Sequence, residues 1–277
     1  MSGEARVGAG SPRAKITAPA VVALKRKGEP ITVVTAYDFP TARLADQAGV
    51  EILLVGDSVG TVVLGYDSTL PVTMDDMLHH TRAVARAKTS AMVVGDMPFM
   101  SYQASTEQAV LNAGRLVQEG GADAIKLEGG ARVAEAVKRI VEAGIPVMGH
   151  LGLTPQSVLA FGGYKVQARG EADQERLIAD ARTLEAAGCF AIVLEGIPAK
   201  LGALVSRELH IPTIGIGAGV QCDGQVLVTH DLLGLYHGHR PKFVRVYAEL
   251  GDAMREAFAR YVADVKTRTF PSDTESY

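Results

Sequence analysis

Four short, mostly apolar runs in this chain of 277 residues each end on an acidic residue. Runs of this length and β-rich composition are typical of buried parallel strands. The carboxyl ends of such strands meet on one face of an α/β fold, and that face binds ligands. Helix capping accounts for an Asp after a strand but accounts poorly for a Glu. We therefore expect four carboxylates to converge on one site, those of Asp57, Asp96, Glu128 and Glu195.

Strand and helix signals alternate along the whole chain. Amphipathic segments at 104–119, 131–143 and 172–187 each end near glycine, the expected stop of a helix. Eight alternations predict an α/β fold of the (β/α)₈ or TIM barrel type, because a doubly wound sheet usually has fewer strands and an early GxGxxG turn. The eight apolar runs predicted as strands are 31–36, 51–56, 91–95, 123–128, 145–149, 190–195, 211–216 and 225–230.

Two further helices are predicted outside this repeat. Pro19 to Lys27 precedes the first strand and is expected to close the bottom of the barrel, and 248–266 is a final amphipathic segment. We expect residues 1–277 to form a single barrel domain, with both ends, about 1–13 and 270–277, disordered because they are rich in small and polar residues.

Two connections that follow strands are longer than the roughly two to six residues of a typical βα loop. They run from Ser58 to Val72 and from Leu151 to Gly170, and a helix with a capping box from Thr73 to Asp76 follows the first. Both lie on the face that carries the acids, where long loops act as lids or binding loops. An oligomer contact or a simple insertion is the alternative.

Composition excludes several classes of protein. The formal net charge of −3 provides no basic field for nucleic acid, and the 5% of aromatic residues, with no Trp, provide no stacking platform. Two cysteines, Cys189 and Cys222, make neither a disulfide framework nor a paired-Cys metal site. No apolar run approaches the roughly 20 residues needed to cross a membrane, and the first residues lack a secretory hydrophobic region. We expect a cytoplasmic enzyme or binding protein of small molecules.

Asp57 and Asp96 end the second and third strands, which are neighbours in a barrel. Their carboxylates can therefore approach one cation together. Hard oxygen ligands without Cys or clustered His select Mg²⁺ or a similar ion. Glu128 lies one strand further round and reaches the same ion directly or through water, so that Asp57, Asp96 and Glu128 are the predicted metal site.

Lys126 lies two residues before Glu128, and the period of a strand places both side chains on the inner face of the barrel. It has three interpretations: a Schiff-base nucleophile, a fixed cation that binds a substrate carboxylate, or a structural ion pair. Neighbouring acids keep an ammonium protonated, which disfavours the nucleophile. We favour carboxylate binding and keep the structural ion pair as the alternative.

Glu195 ends the sixth strand, across the barrel mouth from the predicted metal site, and its apolar neighbours suit a general base. His150 ends the fifth strand and also faces the mouth, but a lone histidine is more often structural. The glycine-rich turn Ile214 to Gly219 either binds a phosphate through backbone N–H groups or packs against a flat ligand ring.

Taken together, these residues resemble the ketopantoate hydroxymethyltransferase (3-methyl-2-oxobutanoate hydroxymethyltransferase) family. The resemblance follows the family's order from roughly Lys15 to Val246, and it departs at Ala168, where the family commonly has Gly, which bears on the local loop conformation. The stretches that carry it are 35–38, 54–58, 65–69, 96–99, 124–130, 193–195, 214–219 and Val147-Met148-Gly149-His150-Leu151-Gly152-Leu153-Thr154-Pro155-Gln156.

The resemblance implies a Mg²⁺-dependent transfer of a hydroxymethyl group from 5,10-methylenetetrahydrofolate to 3-methyl-2-oxobutanoate, giving 2-dehydropantoate, in the biosynthesis of pantothenate (vitamin B5) and coenzyme A. It also implies a homo-oligomer, such as a decamer. The residue roles that it implies are metal binding by Asp57 and Asp96 with help from Glu128, substrate binding by Asp57, Ser58, Asp96 and Lys126, and proton transfer by Glu195.

Two other functions remain as alternatives. One is another metal-dependent barrel enzyme of 2-oxo acid carbon–carbon chemistry, of the phosphoenolpyruvate mutase and isocitrate lyase type. Lyases of that type use a catalytic cysteine, and neither Cys189 nor Cys222 lies on a loop with such a signature. The other is a non-catalytic binding protein on the same barrel, because a fold does not determine a function.

Overall fold

The structure is a computed structural model that describes residues 13–235, 238 and 240–277. Of the two ends expected to be disordered, residues 1–12 lie outside the described residues. The other end, from 270 onward, includes a single turn of 3₁₀ helix, Asp273–Glu275. Disorder of either end stays a prediction.

Eight strands form a closed barrel in which their order around the barrel is their order in the chain. Each consecutive pair from β1 to β8 is parallel. Every strand overlaps one of the eight predicted runs, so the predicted (β/α)₈ barrel is confirmed. The strands are β1 (Ile31–Thr35), β2 (Ile52–Val55), β3 (Met92–Asp96), β4 (Ala124–Lys126), β5 (Val147–Gly152), β6 (Ala191–Glu195), β7 (Thr213–Ile216) and β8 (Gly224–Leu227).

Helices follow most of the strands and bury one apolar face against the barrel. In the helix after β4, for example, Val137 and Ile140 are fully buried at i, i+3 spacing. The capping box predicted at Thr73 and Asp76 is present, with both reciprocal hydrogen bonds. The helices are α1 (Ala18–Lys27), α2 (Phe39–Gln47), α3 (Val59–Val62), α4 (Met74–Ala85), α5 (Thr106–Gln118), α6 (Ala134–Glu142), α7 (Val158–Phe161), α8 (Glu171–Ala186), α9 (Ala199–Glu208), α10 (Thr229–Leu232) and α11 (Leu250–Thr267).

The N-terminal helix α1 contacts the end of the barrel at which the strands begin. Lys25 Nζ lies 2.8 Å from Asp223 Oδ2, immediately before β8, and donates to Ser206 O at 2.7 Å. Just before the helix, Lys15 Nζ lies 2.6 Å from Asp123 Oδ2, immediately before β4. Val21 of α1 is fully buried. The predicted N-terminal helix therefore lies at the bottom of the barrel.

The chain divides into two compact units, one ending at Val226 and the other comprising Leu227–Tyr277. The second unit contains α10 and α11, and α11 confirms the final helix predicted at 248–266. Backbone hydrogen bonds from Tyr247 N to Leu232 O and from Leu250 N to Leu233 O connect its parts. A single domain over the whole chain stays a prediction. Among the described residues, no helix has the length and apolar character needed to cross a membrane.

The long connection between β5 and α8 contains a residue in an unfavourable backbone conformation. Ala168 has φ +52°, in the left-handed region that favours glycine, and its side chain is buried. The neighbouring Gln167 N donates to Gly196 O at 2.8 Å, which fixes the segment beside the end of β6. At this position the chain has Ala where the resemblance leads us to expect Gly, and the backbone keeps the geometry typical of Gly.

We predict that Ala168→Gly leaves stability within about 1 kcal/mol of the parent, because relief of about 1–2 kcal/mol of left-handed strain offsets the loss of a buried methyl group and the added freedom of the unfolded chain. Ala168→Val should destabilise by about 1–3 kcal/mol, because a β-branched residue fits this conformation poorly. Denaturant unfolding of the two variants measures the difference. Equal stability of the two variants would contradict the presence of backbone strain at residue 168.

Candidate active site

The carboxyl ends of β2, β3 and β4 bring three acids and a lysine together. Asp57 N donates to Asp96 Oδ2 at 3.1 Å, and Lys126 Nζ lies 2.8 Å from Asp96 Oδ1 and 3.7 Å from Glu128 Oε1. Each of these four residues is buried, with relative exposure of 4% or less. Strand register explains the closest pair, since Asp96 on β3 is the direct partner of Lys126 on β4.

The electrostatic setting of Lys126 favours a permanent cation. Burial by itself lowers the pKa of its ammonium, but the carboxylates of Asp96, Glu128 and Asp57 outweigh burial and raise the pKa above the ordinary value. A protonated amine cannot act as a nucleophile. The setting therefore disfavours a Schiff-base nucleophile, and substrate binding by Lys126 and a structural ion pair both stay predictions.

Burial and mutual repulsion act on the acids themselves. The pKa of Asp57 is raised well above its ordinary value, first by burial and then by the charges of Asp96 and Glu128. The pKa of Asp96 is also raised by burial, in spite of Lys126. Burial also acts to raise the pKa of Glu128, but His150 and Lys126 outweigh it and lower that pKa. The raised pKa values mean that full ionisation of the three acids is disfavoured when Lys126 and His150 are the cations beside them.

His150 on β5 links this cluster to Glu195 on β6. Its Nδ1 lies 3.4 Å from Glu128 Oε1, and its Nε2 lies 3.3 Å from Glu195 Oε2. Burial and the charge of Lys126 lower the pKa of His150, yet the two nearby glutamates outweigh both and raise it to about 9. The structure therefore places the buried His150 between two of the predicted site residues, whereas the sequence favours a structural role for a lone histidine.

Gly152 allows β5 and β6 to approach closely at Glu195. It has φ +91°, and a Cβ placed there would lie 2.2 Å from Glu195 O. Any other residue would therefore displace the end of β6. The absence of a side chain at Gly152 sets the position of the Glu195 backbone.

Several buried polar residues that sequence reasoning did not select contact the predicted ones. Tyr37 Oη lies 2.8 Å from Ser58 Oγ, beside Asp57. Gln156 Nε2 donates to Asp57 Oδ2 at 2.9 Å, and Gln156 also contacts Tyr102. Tyrosine and glutamine are uncharged and far from the acids in sequence, so spacing gives no signal for them. The one available signal is that Tyr37 and Gln156 lie inside stretches that carry the family resemblance.

The glycine-rich turn after β7 has a packing explanation. A Cβ at Gly219 would lie 2.6 Å from Ala199 Cβ, at the start of α9, and a Cβ at Gly202 would lie 2.3 Å from Ala218 O. The small residues thus let the turn and α9 lie in contact. Phosphate binding and a flat ligand ring both stay predictions.

The charge balance and the donor set fit a divalent cation. When all groups are ionised, four carboxylates face two cations, Lys126 and His150, which leaves two uncompensated negative charges. Among the described residues no set of three His, Cys, Asp or Glu side chains is arranged to hold a metal ion. Mg²⁺ commonly binds to one or two carboxylates and takes its other ligands from water and substrate, which matches the pair Asp57 and Asp96. Direct ligation by Glu128 stays a prediction.

Comparison with known sequences identifies the family of this chain. The family model for ketopantoate hydroxymethyltransferase matches residues 15–273. The chain belongs to the ketopantoate hydroxymethyltransferase family. A relative from Syntrophus aciditrophicus named 3-methyl-2-oxobutanoate hydroxymethyltransferase is 59% identical over 263 residues, which cover 95% of this chain and 97% of the relative. A relative of the same name from Moorella thermoacetica is 57% identical and covers 96% of this chain and 98% of its own length.

Several solved structures resemble this ketopantoate hydroxymethyltransferase family member in fold. A phosphonopyruvate hydrolase in complex with oxalate and Mg²⁺ has a TM-score of 0.62 at 15% identity, covering 94% of this chain and 93% of that chain. A 2,3-dimethylmalate lyase of the phosphoenolpyruvate mutase and isocitrate lyase superfamily has a TM-score of 0.58 at 17% identity, covering 95% and 89%. Identities this low support the barrel and not the chemistry.

We predict that Lys126→Met destabilises the metal-free protein by about 3–5 kcal/mol, because it leaves the buried carboxylates without their nearest cation. Adding Asp96→Asn to that variant should restore much of the loss, since it removes the charge closest to the ammonium. Urea unfolding in the presence of a chelator measures both. Lys138→Met on the exposed face of α6 is the control, expected within about 0.5 kcal/mol of the parent. Equal stability of Lys126→Met and the control would contradict the electrostatic account.

Proposed function

We propose that the chain catalyses the Mg²⁺-dependent transfer of a hydroxymethyl group from 5,10-methylenetetrahydrofolate to 3-methyl-2-oxobutanoate, giving 2-dehydropantoate. The observation that carries the proposal is the meeting of Asp57, Asp96, Lys126 and, through His150, Glu195 at one rim of the barrel. Relatives 55–59% identical over most of their length are named for this activity.

The substrate is a 2-oxo acid, with a carboxylate and an adjacent ketone. Asp57 and Asp96 would hold the magnesium ion, with Glu128 assisting through its carboxylate. When bound there, the ion would supply a Lewis acid that stabilises negative charge on the ketone oxygen. Lys126 would bind the substrate carboxylate, and Ser58, positioned by Tyr37, would donate a hydrogen bond to it.

Glu195 is the proposed general base. Its side chain retains 15% exposure at the rim, so a substrate can reach it, whereas Glu128 is 1% exposed. The imidazole of His150, 3.3 Å from Glu195 Oε2, would hold the carboxylate toward C3 of the oxo acid. Proton transfer requires first that the base lie within reach of the proton that it removes, and only then a suitable pKa.

The atoms of the reaction balance in the following way. Glu195 accepts the proton from C3, and the electron pair of that C–H bond forms the new bond to the methylene carbon. The bonds between that carbon and the two folate nitrogens break, and one water supplies the new hydroxyl group while its other proton goes to one of those nitrogens. The proton held by Glu195 is passed to the other nitrogen, and tetrahydrofolate and 2-dehydropantoate leave.

Nothing in the described structure favours the alternative lyase chemistry with a catalytic cysteine. Cys189 and Cys222 lie just before the residues that precede β6 and β8, so both lie at the end of the barrel opposite the acids. Burial also raises the pKa of the Cys189 thiol to about 12, which keeps it unreactive near neutral pH.

We further propose that the protein is a homo-oligomer, such as a decamer, in the cytoplasm. The helix α11 exposes several large apolar side chains, among them Met254, Phe258 and Tyr261. Exposed apolar side chains of this kind support an interface in which α11 packs against another copy of the chain. Two free cysteines, both buried, are consistent with a reducing compartment.

The test of the function is turnover of 3-methyl-2-oxobutanoate with 5,10-methylenetetrahydrofolate, before and after chelation. We expect formation of 2-dehydropantoate, its loss on treatment with chelator and its recovery on addition of Mg²⁺. Asp57→Asn should need at least tenfold more Mg²⁺ for half-maximal rate, because one charged ligand is lost. Turnover that persists after exhaustive chelation would contradict the metal role, and absence of product with Mg²⁺ present would contradict the function.

Glu195→Gln separates binding from proton transfer. We expect it to lower the exchange of the C3 proton of 3-methyl-2-oxobutanoate by at least about 10²-fold, the usual contribution of a positioned base, with the Kd for the oxo acid changed less than threefold. Proton exchange followed by NMR and binding followed by calorimetry give the two numbers. A parallel loss of binding and exchange would show that Glu195 holds the substrate and is not the base.

A further inference from the structure

Gln156 occupies an unusual position for a loop residue. It lies in the 3₁₀ turn Pro155–Ser157 that follows β5, yet its side chain is only 5% exposed. It extends into the cluster of acids at the barrel rim, where it contacts Asp57 across 99 residues of sequence and Glu128 across 28. The reaction assigned above to the site does not use it.

The side-chain amide of Gln156 has all four of its hydrogen-bonding positions occupied. Nε2 donates to Asp57 Oδ2 and to Met97 O, both at 2.9 Å. Oε1 accepts from Tyr102 Oη at 2.7 Å and from Gln103 Nε2 at 3.1 Å. Rotating the amide by 180° would place its oxygen against a carboxylate and a carbonyl, so the orientation is determined by its partners. An N–H group of Gln156 therefore always faces Asp57.

The backbone of the same residue holds a second acid. Gln156 N donates to Glu128 Oε2 at 3.1 Å. The hydroxyl of Tyr102, which donates to Gln156 Oε1, accepts from Glu128 N at 3.0 Å. Gln156 and Tyr102 together thus fix the side chain and the backbone of Glu128, and Gln156 also holds one oxygen of Asp57.

This arrangement matters because the acids repel one another. Asp57, Asp96 and Glu128 are buried together with one lysine among them. Without donors to hold them, the carboxylates would rotate apart or draw in water, and the cation would then have to reassemble the site at a cost in affinity. Groups that orient the ligands of a metal typically contribute 10–100-fold to its affinity.

We propose that Gln156 is a positioning residue that presets Asp57 and Glu128 for the divalent cation, so that the connection between β5 and α8 controls the affinity of the site for Mg²⁺. The proposal rests on the metal-binding role assigned to these acids under the proposed function. It extends that role to a loop residue that contacts the ligands and not the ion.

The test is direct titration of the metal-free protein with MgCl₂ by calorimetry, without oxo acid or folate. Gln156→Met keeps the length and volume of the side chain but removes all four hydrogen bonds. We expect its Kd for Mg²⁺ to rise at least about tenfold. Gln118→Met, at an exposed position on α5, is the matched control and should leave the Kd unchanged.

Kinetics distinguish positioning of the ion from a merely structural role. In Gln156→Met the Mg²⁺ concentration for half-maximal rate should rise by the same factor as the Kd, while kcat at saturating Mg²⁺ stays within about threefold of the parent. Loss of kcat that excess Mg²⁺ does not restore, with an unchanged Kd, would overturn the proposal.

Two milder variants keep the test decisive if Gln156→Met fails to fold. Gln103→Ala and Tyr102→Phe leave Gln156 in place and each remove one donor to its Oε1. Each should raise the Kd for Mg²⁺ by a smaller factor than Gln156→Met does, and an unchanged Kd in both would overturn the proposal.

A parent protein that binds Mg²⁺ but forms no 2-dehydropantoate would refute the proposed function alone. A parent that binds no Mg²⁺ would refute this inference.

Discussion

Lys126 is buried among more carboxylates than its single positive charge can neutralise, and this imbalance determines the electrostatics of the site. Its ammonium lies 2.8 Å from Asp96 and 3.7 Å from Glu128, and all three groups are buried. Taking charges out of water is expensive, and a buried cation is tolerated only beside well-placed partners. With every acid ionised the negative charge exceeds the positive charge, and the raised pKa values of Asp57 and Asp96 show that the folded chain by itself disfavours this state. A divalent cation would supply the missing charge.

The barrel makes this arrangement possible because it fixes where each strand ends. Asp96 and Lys126 are direct partners in the register of β3 and β4, so their side chains meet without a contribution from any loop. Gly152 and Glu195 are partners in β5 and β6, and the close approach there needs a residue without a side chain. Loops then adjust what the strands place. Gln156 is the clearest case, since its amide holds Asp57 from a connection on the other side of the acids.

Much of the fold could be predicted from the sequence because its determinants are local. Each strand is a short apolar run, and the capping box at Thr73 and Asp76 is a four-residue pattern, so both were found correctly. The position of the four acids at one rim could also be predicted, since an acid at the end of a buried run is visible in sequence, while their roles stay predictions. The position of His150 between two glutamates could not be predicted, because these partners are 22 and 45 residues away and no spacing rule connects them. Gln156 was not selected because an uncharged amide gains its meaning only from the groups that it contacts.

The opposite rim of the barrel shows what the same chemistry does when it is balanced. Asp123 and Asp223 immediately precede β4 and β8, and each faces one lysine, Lys15 or Lys25. Each also accepts a backbone N–H at 2.8 Å, from Val93 and Thr213 respectively. These acids are therefore neutralised one to one and hydrogen-bonded, which is how ion pairs contribute to a stable structure. Asp123 and Asp223 each have their own lysine, whereas the acids of the carboxyl-terminal rim are buried together and outnumber Lys126 and His150. A buried group of acids with too few cations, and not the mere presence of acids, is what suits a divalent cation and its substrate.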